Sequence, residues 1–124
     1  MDGSYGLKAG VALFNSALYH ETHDALEALW KDAQGPLREG LQGLILMAAG
    51  YHHLQLHNRS GMKAVWEESF HRLDGSGGLL DTPWGRVDHR DAIERTRERM
   101  ACIHSGTEDF EPLWALPVPR WEIP

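Results

Sequence analysis

His20, His23, Asp24 and Glu27 fall within YHETHDALEALW, residues 19–30, and a second group of polar side chains, Gln42, His52 and His53, follows in LQGLILMAAGYHHLQ. A histidine and a carboxylate one helical turn apart can hold a divalent ion together, or the carboxylate can orient the imidazole as a general base. His23 and Glu27 have that spacing. The HETH string is not the zincin motif, in which the histidines are four apart with glutamate beside the first; His20 and His23 are three apart. A ferritin-like di-metal bundle needs two inward Glu-x-x-His pairs, and one is present, Glu68 with His71. On a helical wheel His71 lies roughly 170° from the centre of the apolar face made by Met62, Val65, Trp66, Phe70 and Leu73, which predicts a surface position.

His23 falls within roughly 20° of Trp30 and 40° of Tyr19 on such a wheel, on the flank of the apolar arc, with Glu27 beside it. His20 and Asp24 turn farther toward solvent. In the next helix the apolar residues run nearly all the way round, which is the pattern of a buried helix, so its polar residues need partners. Gln42 and His53 share one face with Gly43 and Gly50, whose small size lets a neighbouring helix approach closely. His52 falls instead among Leu41, Ile45, Ala48 and Leu56, and an unpaired buried imidazole costs on the order of 1–3 kcal/mol. His23 and Glu27 are its obvious partners. If the helices meet there, His23, Asp24, Glu27, Trp30, Gln42, His52 and His53 line an inter-helix pocket for a metal ion or small ligand, with His23, Glu27 and His52 as candidate ligands and His23 and Glu27 as candidate catalytic groups.

The elements that would position these residues follow from period and punctuation. Leu7, Val11, Phe14 and Leu18, continued by Thr22, Leu26 and Leu29, repeat at helical spacing, as one helix or as two broken near NSALY. Gly35 and Pro36 separate this segment from a helix reaching about His57. Asn58 or Ser60 caps a third amphipathic segment that stops at Gly75, and a last helix is expected from Asp88, as N-cap, to about His104, with Gly106 ending it. GSGGLLDTPWG reads as a loop without the lysine of a phosphate-binding loop, and no alternating strand pattern competes. The tail EPLWALPVPRWEIP holds too many prolines for a helix or central strand, so an extended segment anchored by Trp114 and Trp121 is expected. The prediction is an all-α, compact bundle of about five helices in one domain, residues 1–110, with a Pro/Trp-rich tail over 111–124 packed on the body.

Composition bounds the function. The 124 residues suit one domain with its own core. Eighteen acidic against twelve basic residues give a net charge of −6, which disfavours nucleic-acid binding. The single Cys102 cannot form an internal disulfide, MDGSYGLK lacks a signal-peptide pattern, and LILMAAGY is far shorter than a membrane span, so a cytoplasmic protein without membrane attachment is expected. Cys102 has the setting of an inert thiol.

FNSALYHETHDALEALW together with LQGLILMAAGYHHLQLHNRSG resembles the domain of unknown function 309 family, small helical proteins of bacteria and archaea. The resemblance rests on Asn15, Ala17, Tyr19, His23, Asp24, Glu27 and Trp30, then on Gln42, Gly43, His52, Asn58 and Gly61. It implies a helix-turn-helix at the first motif, usually with glycine where this chain has Ala17, and it implies no activity. Two readings stand. In one, the bundle binds a divalent metal or small ligand, as a hydrolase or lyase. In the other, it is a structural or interaction module for a partner or a second copy, whose His/Glu cluster is a hydrogen-bond network that fixes helix packing.

Overall fold

The computed structural model describes residues 3–124 as six helices and one small hairpin. Helices α1 (Ser4–Asn15), α2 (Tyr19–Trp30), α3 (Gly35–Gln55) and α4 (Arg59–Leu73) are followed by strands β1 (Leu79–Thr82) and β2 (Gly85–Asp88), then α5 (Arg90–His104) and α6 (Glu111–Ala115). The chain is 66% helical, a mostly all-α fold. No helix among the described residues is long and apolar enough to cross a membrane.

The segment 7–30 is two helices. Leu18 N–H reaches the Leu13 carbonyl at 2.9 Å and Ala17 N–H the Phe14 carbonyl at 3.0 Å, a Schellman stop with Ala17 in the left-handed region at φ 61°. The same device closes α3: Asn58 N–H bonds to His53 and His57 N–H to Leu54, with His57 at φ 55°. Asn58 then accepts from Gly61 N–H at 3.0 Å and caps α4. One short stretch thus ends one helix and begins the next.

α3 is the central element, packed on α2 on one side and α4 on the other. Its glycines admit α4: a Cβ at Gly43 would strike Leu73, and one at Gly50 would strike the Trp66 indole. At that close approach Trp66 Nε1–H donates to the Met47 carbonyl (3.0 Å) and Ser69 Oγ–H to the Gly43 carbonyl (2.7 Å). Fully buried Phe14, Tyr19, Tyr51, Trp66 and Trp121 form an aromatic centre. Phe14 stacks on Trp121 at 3.7 Å and Tyr19 on Tyr51 at 5.1 Å.

Three expectations need correction. The segment expected as a loop contains an antiparallel hairpin in which Leu80 pairs with Val87 and Thr82 with Gly85. Only Leu80 and Val87 turn inward, so each four-residue strand shows too little alternation to read. The cap of α5 is His89, one residue beyond Asp88, whose carboxylate instead accepts from Arg90 N–H. The tail is not extended throughout: Pro112 lies in the first turn of α6, where its missing N–H does no harm. Beyond it the chain is extended and pairs through Glu122 with Asp88. Trp121 anchors this segment, whereas Trp114 is 41% exposed and Leu113 is buried from the same turn.

Candidate functional site

Two polar sets lie along α2, one on its outer face and one around Tyr19 at its buried start, the latter supplied mostly by α1, α3 and α5. On the outer side His23 Nδ1 lies 3.5 Å from Asp24 Oδ1 and 3.6 Å from Glu27 Oε2, and one donor atom from each residue can be chosen so that all lie within 4.8 Å of one another. The three side chains are 37%, 64% and 41% exposed. The second oxygen of Asp24 faces His20 Nε2 at 3.7 Å. These separations are long for strong hydrogen bonds. They are close to the roughly 3.3–3.4 Å edge of a tetrahedron whose ligands sit about 2.0–2.1 Å from a zinc ion. Two of the three separations match such an edge, and the three residues together could hold a small divalent cation on the exposed side of the helix.

The convergence expected of His23 and Glu27 with His52 does not occur. α2 and α3 run antiparallel: Gln55 Nε2–H donates to the Ala17 carbonyl, the His20 and His52 rings lie 5.3 Å apart, and the Arg38 guanidinium sits 3.9 Å over Trp30. In that register His23 lies level with the middle of α3, about one turn from His52. His20, expected to be peripheral, is the residue that meets His52. The Nδ1 atom of His52 is buried without a hydrogen-bond partner among the described residues. His53 turns the other way, its Nδ1 3.2 Å from the Asn58 amide. Gln42 is half-buried, and Trp30 is sandwiched by Arg38, which also donates to the Trp30 and Ala33 carbonyls. His71 is exposed, and Glu68 pairs with Arg72 instead, at 2.9 Å.

The inner set went unread in the sequence. Arg99 is 1% exposed and has no carboxylate partner among the described residues. Its guanidinium donates to the carbonyls of Arg95, Leu116 and Pro117 and lies 5.3 Å from the Tyr51 ring. Tyr51 shares a 2.7 Å hydrogen bond with Thr96. Burial pushes the Tyr19 phenol up to about 12, against the opposing pull of Arg99, and raises Tyr51 further still. Both hydroxyls stay protonated at neutral pH. Asn15 completes this set: its amide donates to the Trp121 carbonyl and accepts from Trp121 N–H, both at 2.8 Å. Nearby in sequence to α5, His89 is wholly buried, and burial pushes its imidazole down to about 4, so it is held neutral.

The residues on which the family resemblance rests thus divide. Asn15, Tyr19, Gly43, Asn58 and Gly61 hold the fold. His23, Asp24 and Glu27 lie on the partly exposed outer side of α2. Comparison with known proteins bears on the family alone. No curated protein matches the chain significantly. The model of the family described as domain of unknown function (DUF309) matches residues 7–65, which run from α1 into α4. Over that segment, just under half of the chain, the sequence is similar to the DUF309 family.

Proposed function

We propose that this chain is a small cytoplasmic bundle that binds a divalent cation on the outer face of α2, with His23, Asp24 and Glu27 as ligands. The observation that carries the reading is that His23 Nδ1 lies 3.5 and 3.6 Å from the Asp24 and Glu27 carboxylates, wider than good hydrogen bonds, with one donor atom from each of the three residues within 4.8 Å of the others. The ion sits on the surface of one helix and not in a pocket between two. A bound ion would supply Lewis acidity for a hydrolase or lyase reaction on a small substrate approaching from solvent. The acidic charge of the chain sets nucleic acid aside as a partner. The test is element analysis of tag-free protein together with thermal melts in added zinc, manganese or iron. A rise in midpoint that disappears in His23→Ala supports the site; metal-free protein that gains no stability from any of the three removes it.

A second reading, an interaction module, is favoured by one observation. Leu18 and Leu56 are 47% and 63% exposed at neighbouring helix ends, which the Gln55 to Ala17 hydrogen bond ties together. A second copy of the chain would cover them. Sedimentation across a wide concentration range separates the readings, since a strict monomer counts against self-association and leaves the metal site untouched.

A further inference from the structure

At the far end of α2 from the His20 pair, a cleft of about 490 Å³ opens between the start of α1, the end of α2 and the hairpin turn. Its walls are the rings of Tyr5 and Trp84 with Leu29, Leu37 and Pro83, and its one charged group is Asp32. Tyr5 is 77% exposed, so nothing among the described residues covers it. Trp84 is fixed from two sides: its N–H donates to Thr82 Oγ1 at 3.0 Å, and its indole lies on Gly3, where a Cβ would collide with the ring. Asp32 is exposed and makes no ion pair among the described residues. Arg38, the first cation along α3, is turned away onto Trp30 and two carbonyls.

We propose that this cleft binds a small organic ammonium ion. An anion would meet only Asp32 and the electron-rich faces of two rings. A compact metal ion would find a single carboxylate, too few ligands to replace its hydration shell. A neutral apolar ligand would gain the walls but leave the carboxylate to be desolvated without a partner. An alkylated ammonium ion is weakly hydrated, carries its charge under a coat of methyl groups, and is attracted both by aromatic faces and by a carboxylate. It alone uses every wall. A second cleft of similar size mixes Arg90 and Arg97 with Asp74 and Glu94 and selects no one chemistry in this way. The inference does not depend on the metal site, whose residues His23, Asp24 and Glu27 lie in the middle of α2 and do not line this cleft.

The experiment compares choline with its uncharged isostere 3,3-dimethyl-1-butanol, each titrated into the full chain at constant ionic strength and followed in the ¹H–¹⁵N spectrum. Choline is expected to move the Trp84 indole N–H and the amides of Tyr5 and Leu37 saturably, and to bind about tenfold more tightly than the isostere. Asp32→Asn, at an exposed position that does not threaten folding, should weaken choline severalfold toward the affinity of the isostere, the remaining preference being that of the aromatic walls for a cation. Trp84→Leu should abolish the saturable shifts, with retained dispersion of the spectrum showing that the chain is folded. Equal affinity for the two compounds, shifts unchanged in Asp32→Asn, or no saturable shift at all overturns the proposal.

Discussion

The outward and inward polar sets of the bundle contain similar chemistry and put it to opposite uses. Around His23 the imidazoles and carboxylates touch one another only loosely, on a helix face that water reaches. Around Arg99 and Asn15 the polar atoms point at backbone carbonyls and amides of distant segments, with Arg99 almost wholly removed from solvent and Asn15 part-buried. A polar side chain that satisfies the backbone is committed, and its removal uncovers groups that cannot find water. A loosely engaged one leaves its lone pairs to a ligand. The difference suggests where chemistry has room to operate, and it makes the inner set the one that stability depends on.

Five measurements would break or sharpen that contrast. The largest effect is expected at Arg99. Arg99→Ala takes the guanidinium away from the Leu116 and Pro117 carbonyls and leaves a cavity beside Tyr51, and should cost about 4 kcal/mol in urea denaturation. Next is the acid response of His89. Because its imidazole is held neutral, the stability it contributes is fully present above its ordinary value of 6.5 and is lost as pH falls toward about 4. The loss is on the order of 2 kcal/mol, since the unfolded chain takes up a proton that the folded one resists. His89→Asn should flatten that limb of the stability curve; an unchanged curve would show that the imidazole is not held neutral. Asn15→Ala should cost about 2 kcal/mol and remove hydrogen-exchange protection at Trp121 while sparing α3. Ala17→Gly should stabilise by about 0.5–1 kcal/mol, because glycine takes the left-handed conformation without penalty. Smallest is the double substitution His23→Ala with Glu27→Ala, expected within about 0.5 kcal/mol of wild type in metal-free buffer. A loss of several kcal/mol there would place the outer set among the structural residues and end the contrast.

Much of the helical frame was legible because periodicity and punctuation agree. Leu7, Val11 and Phe14 line one face of α1, Met62, Trp66 and Leu73 one face of α4, and Asn58 and Gly75 bracket α4. The glycines that bring α4 onto α3 were legible too, from Gly43 and Gly50 on one face. The hairpin was not, since Pro83 and Trp84 at its turn lack the Asn-Gly or Asp-Gly signal of tight two-residue turns. Which helices touch at which level depends on packing direction, and wheel angles within one helix do not contain it; hence His20, not His23, beside His52. Arg99 had a signal that charge concealed. Ala92, Thr96, Arg99, Met100 and Ile103 recur at helical spacing, and all five are buried. An arginine within such a stripe marks a buried cation that needs acceptors.

The paired hydrogen bonds between Asn15 and Trp121 join positions 106 residues apart. Closing a loop of that length is entropically costly until the intervening helices have already drawn its ends together. The face of Phe14 that stacks on Trp121 is therefore expected to be covered last, after the ring has packed against Tyr19 and Tyr51. Refolding should show two stages, an early one reporting helix formation and a later one in which Trp121 fluorescence changes as its indole settles on Phe14. Until the C-terminal segment arrives, that face of Phe14 is left to water, and slowing the closure is expected to raise the tendency to aggregate.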